Sequence, residues 1–212
     1  MAASQRAHTP RRASRGKEEI LAKAGDVVAE RGFERTRFSD VATRTGASIS
    51  TLQYLFGSRE DLVVQALRCR TAQYLNEARR RSAEAEDPLE RLRIVAHHLV
   101  AQETNADAAQ AEWMLWVEYW RTALRDGELA QETADAYEQW LELVRDAIRF
   151  AVEAGAVREP ADIDQVAQGA CAIADGLGVQ IALGRPGADW PRAAAITRAW
   201  LAAALDCAAL AD

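Results

Sequence analysis

The sequence predicts an all-α protein of about nine helices, and three observations support this. Ala, Leu, Arg and Glu, which favour helices, are abundant throughout the chain. Apolar residues recur at spacings of three and four, and no convincing run of β-branched residues alternates with polar ones. The five prolines lie where helices could begin or end. These features predict a helix–turn–helix head of three helices followed by a larger helical domain.

The first four helices have recognisable boundaries, with hydroxyl residues before three of them. Thr36 and Ser48 can cap the second and third helices. Ser58 precedes Glu60 and Asp61, which complement the dipole of the fourth helix. The four helices are expected at residues 17–31, 37–45, 48–55 and 59–84.

The later helices are longer, and Asp126-Gly127 and Gly155 supply turns between them. They are expected at residues 88–103, 107–125, 128–154, 161–183 and 190–210. The sequence thus predicts three regions: an arm at 1–16, a head of short helices at 17–65 and a larger helical domain at 66–212.

The composition of the 212 residues argues against several classes of protein. The mean hydropathy is −0.25, and no apolar stretch approaches the roughly 20 residues of a membrane span. The three cysteines are widely separated, which disfavours a disulfide framework or a CxxC metal site. The N-terminus lacks the pattern of a secretory signal. We expect a cytoplasmic protein with no metal, no cofactor and no membrane partner.

Charge is distributed unevenly along the chain. Residues 1–60 hold 11 basic and 7 acidic side chains, whereas residues 61–212 hold 15 and 25. The first 17 residues contain five basic side chains and no acid. Such an arm is attracted to a polyanion, although a solvated tail has the same composition. Arg15 and Lys17 are therefore candidate DNA contacts.

The stretch from Arg37 to Asp61 has the spacing of a helix–turn–helix. If Phe38 is the first position, an alanine is fifth and a glycine ninth, and apolar residues fill the fourth, tenth and fifteenth positions. An ordinary helical hairpin would not require small residues at both crossing points. The second helix turns hydrogen-bonding side chains outward, a surface suited to base edges: Ser48, Ser50, Thr51, Gln53 and Tyr54.

Residues 17–65 resemble the N-terminal domain of the TetR family of transcriptional repressors. The matching features include Arg31-Gly32-Phe33, Asp40-Val41-Ala42, Gly46 and Phe56-Gly57-Ser58. Ile49 and Gln53 depart from the usual basic and aromatic residues, and Gln53 could instead pair with adenine. The resemblance implies that phosphates or bases are contacted by Thr36, Ser48, Thr51, Tyr54 and Arg59.

All six tryptophans lie in the larger domain. Trp113, Trp116 and Trp120 share one helix face, and Tyr137 and Trp140 share a face of the next helix. These stripes predict either a packed core or an aromatic ligand pocket, and the acids Glu112, Glu118 and Asp175 could lie close by. The candidate ligand residues are Trp113, Trp116, Trp120, Tyr137, Trp140 and Asp175.

The segments 116–130 and 172–184 resemble the effector domain of choline-responsive, BetI-like members of the same family. This resemblance implies a quaternary ammonium or another cation held over indole faces.

The last two helices carry small and apolar side chains, which indicate either an assembly surface or burial within one subunit. A pair of such helices that meets its symmetry mate would form a four-helix bundle and a twofold dimer. The candidate interface residues are Val166, Ala170, Ala174, Leu177, Gly178, Ile181, Ile196, Trp200 and Ala204.

The sequence gives little support for catalysis. The three histidines, His8, His97 and His98, lack an acidic partner at ligand spacing, and no nucleotide-binding or hydrolase motif occurs. We therefore predict no enzyme but a ligand-responsive homodimer that represses transcription from a palindromic DNA operator and is released by a small-molecule effector. Its predicted parts are a basic flexible arm at 1–16, a helix–turn–helix DNA-binding domain at 17–65 and an effector-binding and dimerisation domain at 66–212. There are two alternatives. The protein is an activator or a ligand-independent regulator with the same head, or it is a helical protein-interaction module that does not act on DNA.

Overall fold

The computed structural model describes residues 10–100 and 106–211 of the chain. Every regular element in these ranges is helical, which confirms the predicted fold class. A short 3-10 turn at Ala208–Leu210 follows the last α-helix. The α-helices are α1 (Pro10–Arg31), α2 (Phe38–Thr45), α3 (Ile49–Phe56), α4 (Arg59–Glu84), α5 (Pro88–Val100), α6 (Ala106–Ala123), α7 (Gly127–Glu153), α8 (Ile163–Ala182) and α9 (Trp190–Ala204).

Two helix ends differ from the prediction by more than three residues. Helix α1 begins at Pro10 rather than at residue 17, because proline is accommodated in the first turn of a helix, where its missing N–H is not needed. Residues 10–16 of the expected arm are therefore helical, and residues 1–9 lie outside the described residues. Helix α9 ends at Ala204 rather than at 210, and Asp206 then adopts a positive φ of 49° that does not continue a helix.

The chain divides into two compact units between Arg70 and Thr71. The described part of the first unit contains α1, α2, α3 and the first half of α4. Its core is made of apolar side chains from all four helices, namely Leu21, Ala24, Val27, Val41, Leu52, Phe56, Leu62 and Ala66.

The second unit contains the rest of α4 and all later elements. Helix α8 lies at its centre and packs against α5, α6, α7 and α9. Fully buried side chains from these helices, including Leu92, Val144, Ile148, Ala170 and Leu201, form the core. Among the helices described, none combines the length and the apolar character needed to cross a membrane.

Candidate functional site

Helices α2 and α3 form the predicted helix–turn–helix. Gly46 ends α2 in a left-handed conformation (φ 75°, ψ 3°), and its N–H donates to the carbonyl of Ala42 at 2.9 Å. A side chain would strain this conformation, so glycine is the residue suited to the turn. Leu52 and Phe56 then bury one face of α3, which leaves its opposite face in solvent.

The exposed face of α3 carries five side chains singled out from the sequence. The Oγ of Ser48 accepts the N–H of Thr51 at 3.0 Å and lies 2.8 Å from the hydroxyl of Ser50. Gln53 is also exposed, and Tyr54 is 89% exposed. Hydroxyls, an amide and a phenol therefore stand side by side on a helix, which suits hydrogen bonding to base edges and phosphates.

Thr36 differs from its predicted roles. Its side chain is fully buried, and its hydroxyl donates to the carbonyl of Gly32 at 2.8 Å. The side chain is therefore not accessible to DNA. It also does not cap α2. The cap position belongs to Arg37, whose backbone N–H donates to the carboxylate of Asp40 at 2.9 Å. Thr36 thus stabilises the connection between α1 and α2.

The basic candidates are largely occupied by contacts within the first unit. The guanidinium of Arg59 donates to the carbonyl of Phe33 at 2.5 Å, lies 5.2 Å from the centre of its ring and pairs with Glu60 at 2.7 Å. The ammonium of Lys17 lies 5.3 Å from the centre of the Phe56 ring. The side chain of Arg15 lies outside the described residues. In this structure Arg59 secures the segment before α2.

A cavity in the second unit is lined by residues of α5, α6, α7 and α8. Its volume is about 40 Å³, measured as the space open to the centre of a water molecule. All six ligand candidates from the sequence line it: Trp113, Trp116, Trp120, Tyr137, Trp140 and Asp175. The lining also includes Glu112, an acid expected from the sequence near the aromatic stripes, and the structure adds His98, Leu99, Val100 and Cys171.

The three indoles of α6 are held at fixed angles to one another. The ring centres of Trp113 and Trp120 lie 6.2 Å apart at 61°, and those of Trp116 and Trp120 lie 6.1 Å apart at 41°. The indole N–H of Trp113 donates to the carbonyl of Val100. Because the faces of indole rings carry negative potential, this arrangement can attract a cation.

Asp175 places a carboxyl group beside these rings. Its Oδ2 accepts the hydroxyl of Tyr137 at 3.0 Å. Burial raises the pKa of Asp175 to about 6, although the hydrogen bond from Tyr137 opposes this shift. Burial also raises the pKa of the Cys171 thiol to about 12, so Cys171 stays protonated and is no nucleophile at neutral pH. The cavity therefore holds a carboxylate at neutral pH without an activated thiol.

His98 is a cavity residue to which the sequence assigned no function. Its Nδ1 lies 2.8 Å from the carbonyl of Ile94, so Nδ1 carries the proton and Nε2 is an acceptor. Nε2 is buried, and no hydrogen-bond partner for it occurs among the described residues. Burial lowers the pKa of His98, which favours the neutral ring. The sequence did contain one indication that His98 is buried, namely its position near Val95 and Leu99 on the apolar face of a helix.

Two family models match the chain. Residues 20–66 match that of the bacterial regulatory proteins of the tetR family, and residues 88–206 match that of the BetI-type transcriptional repressor C-terminal domain. The second match alone covers more than half of the chain. The chain belongs to the TetR family of transcriptional regulators. No curated protein matches the sequence.

Solved structures of TetR-like fold extend the comparison. A transcriptional regulator from Saccharomonospora viridis in complex with choline is 25% identical, with a TM-score of 0.77 over 89% of this chain and 96% of that one. A TetR regulator from Haloarcula marismortui is 17% identical (TM-score 0.76, 91% and 99%). FadR from Bacillus subtilis in complex with stearoyl-CoA is 19% identical (TM-score 0.62, 88% and 96%). The last two comparisons concern the fold alone.

This TetR-family protein therefore combines an N-terminal helix–turn–helix DNA-binding domain with a C-terminal ligand-binding domain. Its family comprises transcriptional regulators, which in general are not enzymes.

The predicted dimer residues on α8 need correction, because most of them are covered within one subunit. A side chain less than a tenth exposed in a single chain has little surface left for a second copy. The residues buried in this way are Val166, Ala170, Ala174, Gly178 and Ile181. The small residues among them, Ala170, Ala174 and Gly178, serve packing inside the protomer, since α8 is surrounded by four other helices.

Other small and apolar residues of α8 and α9 do face solvent. Ile196 is 41% exposed, and Leu177, Trp200 and Ala204 are partly exposed. The indole of Trp200 lies over Gly169, where an added Cβ would be 2.4 Å from Cη2. We define the outer α8–α9 face by these solvent-accessible residues: Gly169, Ile173, Gly176, Leu177, Ile196, Ala199, Trp200, Ala203 and Ala204.

Proposed function

We propose that this protein is a homodimeric repressor that leaves a palindromic DNA operator when a small quaternary ammonium cation enters the aromatic cavity. The observation that carries the effector class is that Asp175 and five aromatic side chains line the same cavity. Indole faces favour a desolvated, weakly hydrated cation, and the carboxylate supplies the opposite charge.

The choice of a quaternary ammonium over other cations rests on the chemistry of the lining. Methyl groups on nitrogen leave no N–H donors, so the rings can surround the cation without leaving hydrogen bonds unmade. A primary ammonium would need acceptors on several sides, and the apolar indole faces do not supply them. The BetI-type family model and the choline complex of the Saccharomonospora viridis regulator agree with this class of effector.

The proposed dimer uses the outer α8–α9 face. Exposed small residues allow helices to approach closely, and Ile196 and Trp200 supply apolar surface that association would remove from water. A twofold dimer presents two copies of α3, which can read the two halves of a palindrome in successive major grooves.

Release of the operator requires that the effector prefer one conformation of the dimer. Helix α4 belongs to both units along the chain, with the division between Arg70 and Thr71 inside it. If the cation favours an arrangement of α4 in which the two copies of α3 no longer fit successive grooves, it weakens DNA binding by linkage. A coupling of about 1.4 kcal/mol suffices for a tenfold loss of DNA affinity.

The test begins with selection of bound fragments from genomic DNA, followed by titration of the selected duplex with protein in the presence and absence of choline. We expect choline to lower DNA affinity at least tenfold and to change tryptophan fluorescence. A Trp116→Leu variant should lose the choline response while it still binds DNA, whereas Trp190→Leu, outside the cavity lining, should keep it. Unchanged DNA affinity with every cation tested, together with release by lipophilic acids, would overturn the proposed effector class.

A further inference from the structure

An open groove adjoins the aromatic cavity at the turn between α6 and α7. Its volume is about 840 Å³ by the measure used for the cavity, which has about 40 Å³. Four polar residues line part of the groove: Arg125, Asp126, Thr133 and Glu138. The apolar residues that line the groove are Trp120, Ala123, Leu124, Ala130, Ala134 and Tyr137.

Two aromatic side chains line both spaces. Trp120 and Tyr137 belong to the lining of the cavity and to that of the groove. Both are partly exposed, whereas Trp113 and Trp140 are buried. The cavity and the groove are therefore neighbours that share a wall of two rings.

The cavity alone is too small for a ligand of many atoms. Its volume of about 40 Å³ is a small fraction of the volume of the groove, about 840 Å³. A ligand whose head group enters between the indoles must place any further atoms outside the cavity. The groove beyond Trp120 and Tyr137 is the adjoining space.

The apolar side of the groove offers accessible surface to a hydrocarbon chain. Leu124 is 87% exposed, so it offers apolar surface that a bound tail would remove from water. Ala130 and Ala134 lie one turn apart on α7 and are exposed, so this side of the groove is smooth and leaves room for a chain. The apolar residues extend from the shared wall, where a ligand in the cavity would emerge.

We propose that cavity and groove form one bipartite site for an amphipathic cation, whose quaternary ammonium head lies beside Asp175 and whose alkyl or acyl tail passes Trp120 and Tyr137 onto Leu124, Ala130 and Ala134. This inference rests on the proposed effector class and extends it from small cations to cations with an apolar tail.

The test is calorimetric titration of the full chain with tetramethylammonium, butyltrimethylammonium and octyltrimethylammonium below their micellar concentrations. Each methylene that leaves water for the groove should raise affinity about fourfold. An Ala134→Gln variant should lower octyltrimethylammonium affinity at least tenfold and leave tetramethylammonium affinity unchanged. Ala83→Gln, at an exposed alanine of α4 outside both linings, is the matched control and should change neither.

The outcomes separate this inference from the proposed function. If tetramethylammonium binds but affinity does not rise with chain length, the bipartite site is overturned and the effector class stands. If no cation binds, the effector class itself fails. A chain-length effect that Ala134→Gln leaves intact would place the tail elsewhere. If Ala134→Gln changes the mass measured by sedimentation, a second copy of the chain rather than a tail occupies the groove.

Discussion

The indole of Trp113 lies directly against Gly178, so that a Cβ added at residue 178 would be 2.1 Å from Cε2 of the ring. No real Cβ tolerates such a distance, and the atoms in the way belong to a rigid ring whose N–H is bonded to Val100. The absence of a side chain on α8 therefore lets one wall of the aromatic cavity form. Gly178 acts on the cavity through Trp113 and lines none of it.

We expect Gly178→Ala to displace Trp113 and to destabilise the protein by about 1 to 3 kcal/mol, the usual cost of overpacking a core. Gly16→Ala is the control, because Gly16 lies within helix α1, away from the outer α8–α9 face, and an added Cβ there meets nothing within 4 Å. That change should be neutral or stabilise the helix by about 0.5 to 1 kcal/mol. Thermal unfolding and tryptophan fluorescence of both variants provide the measurement, and equal stabilities would contradict the packing described for Trp113.

The same glycine shows how far the sequence could predict this structure. Spacing predicted the turn at Gly46, because a helix–turn–helix needs a left-handed residue at that position, and the φ of 75° confirms it. Spacing also placed Gly178 on a stripe of small residues, but a stripe shows only that something packs closely against a helix. Whether that neighbour is a second copy or Trp113 depends on long-range packing.

Burial of polar residues was harder to predict for the same reason. Thr36 precedes a helix, as a capping residue does, yet tertiary packing covers it completely. His98 stands on an apolar helix face, where the sequence alone allows either a core histidine or a ligand contact. In contrast, the aromatic stripes of α6 and α7 correctly indicated one site, since all five aromatic ligand candidates line the same cavity. This succeeded because the aromatic faces of the two adjacent helices pack toward a common core.

The exposed face of α3 leads to a prediction about DNA. Tyr54→Ala and Gln53→Ala should each lower affinity for the selected duplex by about 1 to 3 kcal/mol, if each contacts a base edge. Thr36→Val should leave that affinity unchanged, because its hydroxyl bonds to Gly32 inside the domain. Fluorescence anisotropy with a labelled duplex at a fixed salt concentration measures all three. Recognition would lie elsewhere if Tyr54 and Gln53 proved as tolerant as Thr36.

The outer α8–α9 face leads to a prediction about assembly. Ile196→Glu should shift the protein from about twice 23.3 kDa toward the monomer mass, because a dimer would bury the charge without a partner. Met114→Glu is the matched control, since Met114 on α6 is 42% exposed and Ile196 is 41% exposed. Sedimentation velocity at micromolar concentration distinguishes the two forms. A stable dimer of the Ile196→Glu protein would show that another surface mediates assembly.

The acceptor nitrogen of His98 leads to a prediction about effector specificity. A hydroxyl on the ligand can donate to Nε2, so choline should bind about fivefold more tightly than ethyltrimethylammonium, which lacks only the hydroxyl. In a His98→Phe variant this preference should disappear, while ethyltrimethylammonium keeps its affinity. Calorimetric titration of each protein with each ligand gives the four affinities that this comparison needs. A hydroxyl preference that survives in His98→Phe would assign the contact to another residue.

The buried carboxyl of Asp175 predicts how effector affinity depends on pH. Burial raises the pKa of Asp175 from 3.8 to about 6 in the free protein, so half of the carboxyl groups are neutral near pH 6. A bound cation favours the charged form and lowers that pKa, so binding releases a proton below pH 6. Cation affinity should therefore be nearly constant above pH 7 and should fall as the pH decreases through 6.

The raised pKa of Asp175 affects the stability of the ligand-free protein in the opposite direction: stability falls as pH increases, whereas cation affinity rises. The folded state binds the Asp175 proton more tightly than the unfolded state does, so this residue's contribution to stability is lost as pH rises from about 4 to 6. Asp175→Asn should remove both effects, whereas two other titratable side chains of the cavity lining, Glu112 and His98, remain, and burial lowers the pKa of His98. Choline titrations between pH 5 and 8 on the parent and the Asp175→Asn variant test this. A parent affinity that does not change across pH 6 would mean that the cation does not interact with this carboxylate.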